Sequence, residues 1–183
     1  MVGKLKQLLY SDASLLRKFA SGDASAFEVL YQRHKDALFH FLYCSLPLAA
    51  IVEEIAQDTW VTVIEQAQRY EAKASFRSWL FTIGRNRLID HQRRKVNTAP
   101  RSDENTLLMQ TSNELSAEDQ TLLQELIAAL DKLPAEQRET FLLQQEGFSN
   151  REIAEVTGVG TETVKSRLRY ARSATRERMG AAS

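Results

Sequence analysis

Cationic side chains near the carboxyl end of the chain are the residues best suited to binding a ligand. Ammonium and guanidinium groups bind phosphate oxygens, and both also pair with the acceptor atoms of guanine in a DNA groove. Hydroxyl-bearing side chains lie among these cations and add further hydrogen-bonding capacity. The set falls within residues 165–172: Lys165, Ser166, Arg167, Arg169, Tyr170 and Arg172. Their types and spacing indicate nucleic acid as the class of partner.

The sequence around these residues predicts a helix-turn-helix that would position them. Ser149, followed three residues later by Glu152, matches the capping box of a helix start. Gly158 follows where that helix should end, and glycine adopts a left-handed backbone there with the least steric cost. Gly160 or Thr161 then caps a second helix. The alternative is an ordinary helical hairpin with a solvated basic face.

The second helix of this motif has an apolar stripe at Val164, Leu168 and Ala171, which recur at helical spacing. This stripe should pack inward. The polar side chains should then lie on other faces, and those nearest the helix start occupy the position where groove contacts are usual.

The net charge of zero conceals blocks of opposite sign. Residues 76–101 carry +6, residues 102–146 carry −8, and residues 147–183 carry +3. Because ionic screening limits the reach of each patch to about 8–10 Å, local charge rather than net charge decides affinity for phosphate. Two separate nucleic-acid contacts are therefore expected, one in each basic block.

The first basic block lies on a predicted helix from about Phe76 to Lys95. Aromatic side chains, including Trp79 and Phe81, alternate there with cations. Such a mixture suits single-stranded or distorted nucleic acid, because rings stack on unpaired bases while cations follow the phosphates. The alternative places Trp79 and Phe81 in the core and leaves the arginines on a solvated face.

The hydrophobic periodicity predicts an all-α protein with two helical domains, at 1–95 and 117–183, joined by a flexible linker at 96–116. The linker is rich in Asn, Ser, Thr, Asp and Glu and contains Pro100. Helices are predicted at about 12–20, from Asp23 to beyond Leu42, at 48–69, at 76–95, near Leu122–Leu130, after Pro134, and in the helix-turn-helix. In the 48–69 helix, Trp60 and Ile64 are among the residues expected to face inward, and Glu53, Glu54, Gln57 and Asp58 to face outward.

Catalytic and membrane functions are not supported by the residues. A single cysteine, Cys44, excludes an intramolecular disulfide and a cysteine-based zinc cluster. His40 and Cys44 are four residues apart, but two ligands make a poor zinc site. No apolar run reaches the length of a membrane span, and the amino terminus lacks a signal sequence. We therefore predict a cytoplasmic protein with no metal, cofactor, small-molecule substrate or catalytic activity.

The chain also resembles a known family along nearly its whole length. It is similar to bacterial RNA polymerase sigma factors of the extracytoplasmic-function (ECF) group, the minimal type that keeps only the second and fourth sigma domains. The combination, order and spacing of the motifs carry the resemblance: Gln57-Asp58-Thr59-Trp60, Phe76-Arg77-Ser78-Trp79-Leu80-Phe81, Leu133-Pro134, Glu146-Gly147-Phe148-Ser149 and Thr163-Val164-Lys165-Ser166-Arg167-Leu168.

This resemblance implies roles for three sets of residues. The first domain would bind a coiled coil of the largest subunit of core RNA polymerase through Glu54, Gln57 and Asp58. Through the loop at Tyr70 to Ser75 and the helix that follows, it would read and hold the melted −10 element of promoter DNA, with Arg77, Arg85, Asn86 and Arg93 as the candidate contacts. The second domain would read the −35 element through Lys165, Ser166, Arg169 and Tyr170, with Arg167 and Arg172 nearer phosphate. An anti-sigma factor is a further partner that the resemblance implies.

Two residues depart from the family pattern. Glu162 stands where many relatives have a small residue, and its carboxylate would repel phosphate unless it serves the helix dipole or accepts from a cytosine amine. Gly84 replaces a more usual alanine, at a cost of about 1 kcal/mol in helix propensity.

Two other functions are compatible with the helix-turn-helix. A stand-alone transcriptional regulator would use the amino-terminal helices as a dimerisation or ligand-binding domain and would bind a palindromic duplex without polymerase. An adaptor protein would show no sequence-dependent binding to DNA.

Overall fold

The computed structural model describes residues 9–98 and 128–180, and within these ranges the ordered elements are helices and no strand occurs. The chain divides into two compact units, of which the first holds α1, the 3-10 helix, α4 and most of α2 and α3, and the second holds α5–α7. The elements are α1 (Asp12–Ala20), α2 (Ala24–Ser45), α3 (Ala49–Gln66), a 3-10 helix (Ala67–Arg69), α4 (Phe76–Thr98), α5 (Ala135–Gln145), α6 (Asn150–Thr157) and α7 (Thr161–Gly180). The all-α prediction is confirmed.

Local capping explains where the helices of the first unit begin. The Ser11 hydroxyl accepts from the Ser14 amide at 3.3 Å and caps α1. Asp23 Oδ1 accepts from the Ser25 amide at 3.1 Å just before α2. At the start of α4 the Ser75 hydroxyl accepts from the Ser78 amide at 3.0 Å. The predicted helix starts at Ser11 or Asp12 and at Asp23 are thus confirmed, because each depends on a residue close in sequence.

Aromatic and leucine side chains of α2, α3 and α4 form the core of the first unit. Phe41 of α2 and Phe81 of α4 are fully buried, with ring centroids 5.4 Å apart. Trp60 of α3 is buried edge-on against Phe27, with centroids 5.7 Å apart. The core placement of Trp60 is confirmed, and Phe81 belongs to the core rather than to a base-stacking surface. The inward placement of Ile64 was wrong, since this side chain is 46% exposed.

Gly84 is explained by the close approach of three helices. A Cβ atom at this position would lie 2.9 Å from Leu38 Cδ1 of α2 and 3.6 Å from Thr59 Oγ1 of α3. Leu38 and Thr59 are themselves fully buried, so neither has room to move. The loss of helix propensity at Gly84 is therefore offset by tighter packing of α4 on α2 and α3.

A charged cluster holds α1 against α2. Asp12 Oδ1 accepts from Arg33 Nη1 at 2.8 Å, and Asp12 Oδ2 lies 2.7 Å from His34 Nε2. Burial raises the pKa of the Asp12 carboxyl, but the hydrogen bonds and electrostatic attraction of His34 and Arg33 lower it by more. The pKa therefore lies below its ordinary value of 3.8. Asp12 stays ionised at neutral pH and fixes the amino-terminal helix.

Replacing Asp12 with asparagine should lower the free energy of unfolding at pH 7 by about 1–3 kcal/mol, because charge-assisted bonds to Arg33 and His34 are lost. A depressed pKa stabilises the fold above the ordinary pKa of 3.8, and this stabilisation disappears as the pH falls through the lower folded value. Urea unfolding at pH 7, 4 and 3 should therefore show the difference between variant and wild type shrinking with acidity. A constant difference would contradict the assigned role of the charge.

The second unit has the predicted helix-turn-helix. The Ser149 hydroxyl accepts from the Glu152 amide while the Glu152 carboxylate accepts from the Ser149 amide, so the capping box is confirmed. Gly158 has φ 72°, in the left-handed region that favours glycine. Val164, Leu168 and Ala171 are buried as predicted. Helices α5 and α6 both pack against α7.

Some sequence predictions fall on residues outside the described ranges. Of the predicted linker, residues 96–98 continue α4, which ends three residues later than expected, and the rest lies outside. The helix predicted near Leu122 is described only from residue 128, where it continues to 131. Pro134 directly precedes α5, as predicted.

Candidate nucleic-acid and protein interfaces

A stripe of cations runs along one side of α7. Helical geometry places Lys165, Arg169, Arg172 and Arg176 within an arc of about 60° and along about 16 Å of the axis. These four side chains, with Ser173, line an open groove of about 650 Å³ that Gln144 of α5 and Asn150 of α6 close on the other side. We call the four cations the α7 basic stripe. Its charge and length suit a duplex groove and the phosphates beside it.

Neighbouring side chains orient the α7 basic stripe. Arg172 Nη2 donates to Gln144 Oε1 of α5 at 2.8 Å, which holds this guanidinium in the groove. The Arg169 guanidinium lies 5.2 Å from the ring centroid of the exposed Tyr170. Lys165 Nζ donates to Glu162 Oε1 at 2.7 Å. Glu162, in the first turn of α7, therefore partly neutralises the first cation of the stripe as well as facing the positive end of the helix dipole.

The structure separates the predicted DNA-binding residues of α7 into two groups. Arg172 shares the groove with Lys165 and Arg169, although the sequence had grouped it with Arg167. Arg167 is half-buried and points about 160° away from Lys165 around the helix axis. Ser166 lies about 100° and Tyr170 about 140° from Lys165 around the axis, so Tyr170 is closer to Arg167 than to the stripe. The pairing of Arg167 with Arg172 near phosphate was implied by the family resemblance, and the two side chains lie on different sides of α7.

Arg176 is a residue of the stripe that our sequence reasoning missed. It lies four residues after Arg172 and seven after Arg169, on the same helical face, and it lines the groove. This spacing of four and seven residues would have been sufficient to predict that Arg176 shares a helical face with Arg172 and Arg169.

Helix α4 presents a second polar face. Arg85, Asn86 and Arg93 lie within an arc of about 100° and over about 12 Å of helix. Asn86 and Arg93 are exposed and Arg85 is half-buried. We call these three residues the α4 polar face. Arg77 lies apart from them: its guanidinium is 5.7 Å from the centroid of the buried Phe81 ring. Three of the four residues predicted for the −10 element thus share one surface.

The loop between the 3-10 helix and α4 is closed by Tyr70. Its hydroxyl donates to the Ala74 carbonyl at 2.8 Å, and its ring packs against Trp79 with centroids 4.9 Å apart. Burial raises the pKa of the Tyr70 phenol, and the negative charge of Asp12 raises it further. The phenol therefore stays neutral and remains a donor at physiological pH. Residues 71–73 are exposed at the tip of this loop, next to the start of α4.

An apolar groove lies between α2 and α3, on a surface that the sequence did not indicate. Its exposed apolar residues are Tyr31, Val61 and Ile64, which are 38%, 49% and 46% exposed. Phe27, Phe39 and Trp60 extend this apolar lining, and Lys35, Asp36, Glu53 and Gln57 form a polar rim. We call this site of about 550 Å³ the α2–α3 groove. Exposed apolar surface with a polar rim is typical of a protein-binding site.

The three residues predicted for polymerase binding take different positions relative to this groove. All three are exposed, as expected. Gln57 lines the groove. Glu54 lies on the adjacent face of α3. Asp58 is turned toward α4, where its Oδ2 atom accepts from Arg87 Nη1 at 3.2 Å. The structure therefore places Gln57 in the apolar groove and assigns Asp58 a partner within the unit.

Within the described parts of the chain, no three His, Cys, Asp or Glu side chains come together in a way that would hold a metal ion. No helix in those same ranges has the length and apolar character needed to cross a membrane.

Comparison with known proteins adds to this geometry. Residues 30–98 match the model of sigma-70 region 2, and residues 123–174 match that of sigma-70 region 4. The chain is 31% identical to RNA polymerase sigma factor CarQ of Myxococcus xanthus, over 90% of this chain and 95% of CarQ. It is 34% identical to the ECF RNA polymerase sigma factor RpoE of Cereibacter sphaeroides, over 86% of this chain and 88% of that protein.

Two solved structures are similar to this one. CnrH, determined in complex with the cytosolic domain of CnrY, has a TM-score of 0.74 at 26% identity and covers 94% of this chain and 99% of its own. The sigma factor RpoE of Bartonella quintana, determined in complex with the anti-sigma factor NepR, has a TM-score of 0.67 at 25% identity and covers 84% of this chain and 96% of its own. The chain belongs to the sigma-70 family, in the ECF group of RNA polymerase sigma factors, and it is a promoter-specificity subunit of that enzyme.

Proposed function

We propose that the two units of this sigma factor read the two elements of a promoter through separate surfaces. The α7 basic stripe, with Ser166 and Tyr170, reads the −35 element in the major groove. The α4 polar face, with the Tyr70–Ser75 loop, holds the melted −10 element. The α2–α3 groove and Glu54 bind core RNA polymerase. This division of roles is the function that the geometry supports best.

The observation that carries this proposal is the groove beside α7. Lys165 and Arg169 are exposed near the start of the helix that follows the turn, and Arg172 is held in the same groove by Gln144. Lysine or arginine bound to guanine O6 and N7 is the commonest specific contact in the major groove. Arg172 and Arg176, further along the helix, would bind phosphate.

The α2–α3 groove supports the assignment of the core-binding surface. Three exposed apolar side chains lie together there beside Gln57, a residue expected from sequence to bind polymerase. An apolar centre with a polar rim suits an amphipathic helix or a coiled coil, which the groove would bury in part. An anti-sigma factor is a further partner for which the same groove is available, and the Bartonella RpoE was solved in complex with the anti-sigma factor NepR.

Connecting two weak DNA-binding units explains how the protein would achieve specificity. When core polymerase holds both units in place, binding of one promoter element raises the effective concentration of the other. The factor would act in the bacterial cytoplasm, where polymerase and chromosome are found, and would leave all covalent chemistry to the core enzyme. A stand-alone dimeric regulator is not supported, because the matched relatives are sigma factors along most of their length.

Transcription in vitro with purified core polymerase tests this proposal. The protein should copurify with core enzyme and direct initiation at defined start sites on supercoiled genomic fragments. Core enzyme alone, and core with a variant in which Lys165 and Arg169 are both alanine, serve as matched controls. The absence of specific start sites together with a failure to bind core would refute the proposal.

Replacing Glu162 with glutamine should raise affinity for promoter DNA by about two- to fivefold, because Lys165 is released from its ion pair and a repulsive charge is removed. If Glu162 acts only on Lys165, the gain should be similar for every sequence variant of the −35 element. Fluorescence anisotropy against a panel of single-base substitutions measures this. A gain confined to one substituted base pair would instead identify Glu162 as a reader of cytosine.

A further inference from the structure

A charged hydrogen-bond cluster joins α3 to α4. Arg87 Nη1 donates to Asp58 Oδ2 at 3.2 Å, and Arg87 Nη2 donates to Thr62 Oγ1 at 2.5 Å. The Thr62 hydroxyl in turn donates to the Asp58 carbonyl at 2.9 Å. Because a guanidinium is planar and rigid, two bonds from its Nη atoms fix both its position and its plane. The cluster therefore anchors Arg87 to α3.

The cluster continues the close contact at Gly84. Gly84 lies almost one turn before Arg87 on α4, and a Cβ atom there would lie 3.6 Å from Thr59 Oγ1 of α3. The Thr59 hydroxyl donates to the Ile55 carbonyl of its own helix at 2.7 Å, which holds it in place. Two successive turns of α4 thus touch α3, first by close packing and then by hydrogen bonds. Together these contacts limit rotation of α4 about its axis.

The rotation of α4 decides where the α4 polar face points. Asn86 lies about 100° from Arg87 around the helix axis, and Arg85 lies about 160° from it. Arg87 therefore occupies the side of α4 opposite to Arg85. A change in the contacts of Arg87 would turn the α4 polar face relative to the rest of the unit.

We propose that Arg87, held by Asp58 and Thr62, is a positioning residue that orients the α4 polar face toward promoter DNA. This inference rests on the proposed function of that face. Arg87 acts on initiation through the placement of α4 and not as a phosphate contact. Asp58 lies on α3 with a side chain that is 54% exposed, and it belongs to the same hydrogen-bond cluster. Its role in initiation is thus to hold Arg87, in addition to any bond it forms with core polymerase.

Thr62→Val provides the sharpest test of this role. Thr62 is 8% exposed and lies on α3, and valine has nearly its shape but cannot bond to Arg87. The variant should bind core polymerase with wild-type affinity, yet its holoenzyme should form open complex about tenfold more weakly. Permanganate reactivity of unpaired thymines measures the open complex. Thr62→Ser, which keeps the hydroxyl, should restore the wild-type level.

A second pair of variants separates positioning from direct binding. Arg87→Lys keeps the charge but not the two fixed bonds, so it should lose as much open complex as Arg87→Ala. The double variant Thr62→Val with Arg87→Ala should lose no more than Arg87→Ala alone, because the Thr62 hydroxyl acts through its bond to Arg87. Additive losses, or full activity of Arg87→Lys beside a weak Arg87→Ala, would overturn the inference and make Arg87 a phosphate contact.

Three further outcomes bear on whether Arg87 positions α4. Wild-type open complex from a folded Thr62→Val variant would overturn the inference while leaving the proposed function intact. If circular dichroism shows that Thr62→Val does not fold, the comparison of Arg87→Lys with Arg87→Ala decides alone. If wild-type holoenzyme forms no open complex on any promoter, the proposed function fails first.

Discussion

Replacing Ile64 with glutamate is expected to weaken binding to core RNA polymerase by about 100-fold. Ile64 lies in the α2–α3 groove beside Val61 and Trp60, and it is 46% exposed. In the free protein a glutamate there would remain in water, so the fold should be retained. In the complex its charge would be buried against apolar surface without a partner, at a cost typical of an interface hot spot. Surface plasmon resonance with immobilised core enzyme measures the loss.

Gln66→Glu is the matched control for this experiment. It introduces the same charge on the same helix, at an exposed position about 160° around the axis from Ile64. It should bind core polymerase within about twofold of wild type, as expected for a surface change outside an interface. Equal losses in the two variants would point to a general charge effect. Unchanged affinity of Ile64→Glu would remove the α2–α3 groove from the core-binding surface.

Replacing Arg169 with alanine is expected to reduce discrimination at one position of the −35 element by about 10- to 100-fold. Arg169 is exposed on α7, one turn after Lys165, in the region of the helix where contacts with base edges are made. A bidentate bond to guanine would be lost, and the preference for that base pair would relax. Affinity measured against single-base variants of the element should therefore become flat at that position and remain selective elsewhere.

Arg176→Ala is the matched control for Arg169→Ala. It removes the same group from the same stripe but at the far end, where phosphate contact is expected. Its affinity should fall uniformly for all sequences, and the slope of log affinity against log salt should decrease by about one unit. A uniform loss for Arg169→Ala as well would reclassify Arg169 as a phosphate contact. A position-specific loss for Arg176→Ala would extend base reading along the stripe.

The two surfaces proposed to bind DNA differ in how fully they could be predicted from the sequence. For α7, the positions of Lys165 and Arg169 near the start of the second helix of the motif were enough to predict that both are exposed, because the apolar stripe of Val164 and Leu168 faces inward. For α4, the sequence left two alternatives open, because Trp79 and Phe81 among the cations could lie either in the core or on a surface that binds nucleic acid. The burial of Phe81 and the position of Arg77 over its ring were needed to separate the core side from the polar side.

The α2–α3 groove, which we propose as a protein-binding site, was not predicted from the sequence. Ile64 was expected in the core because it follows Trp60 by four residues, and the pattern of α3 is apolar on more than one side. Apolar residues recur at the same helical spacing whether they pack in the core or form an exposed surface that binds another protein. Only the position of α2 beside α3 shows that Tyr31, Val61 and Ile64 remain exposed together.

The helices of the described ranges, the helix-turn-helix and the family could all be predicted from the residues in order. Three features of the second unit each depend on residues within a few positions of one another, so they could be predicted from short stretches of sequence. They are the capping box of Ser149 and Glu152, the left-handed turn at Gly158 and the apolar stripe of α7. Tertiary structure alone decided which charged residues remain available for a partner. Arg87 and Asp58 both look like surface charges in sequence, yet 29 positions apart they bind each other, because the packing of α4 on α3 at Gly84 brings them together.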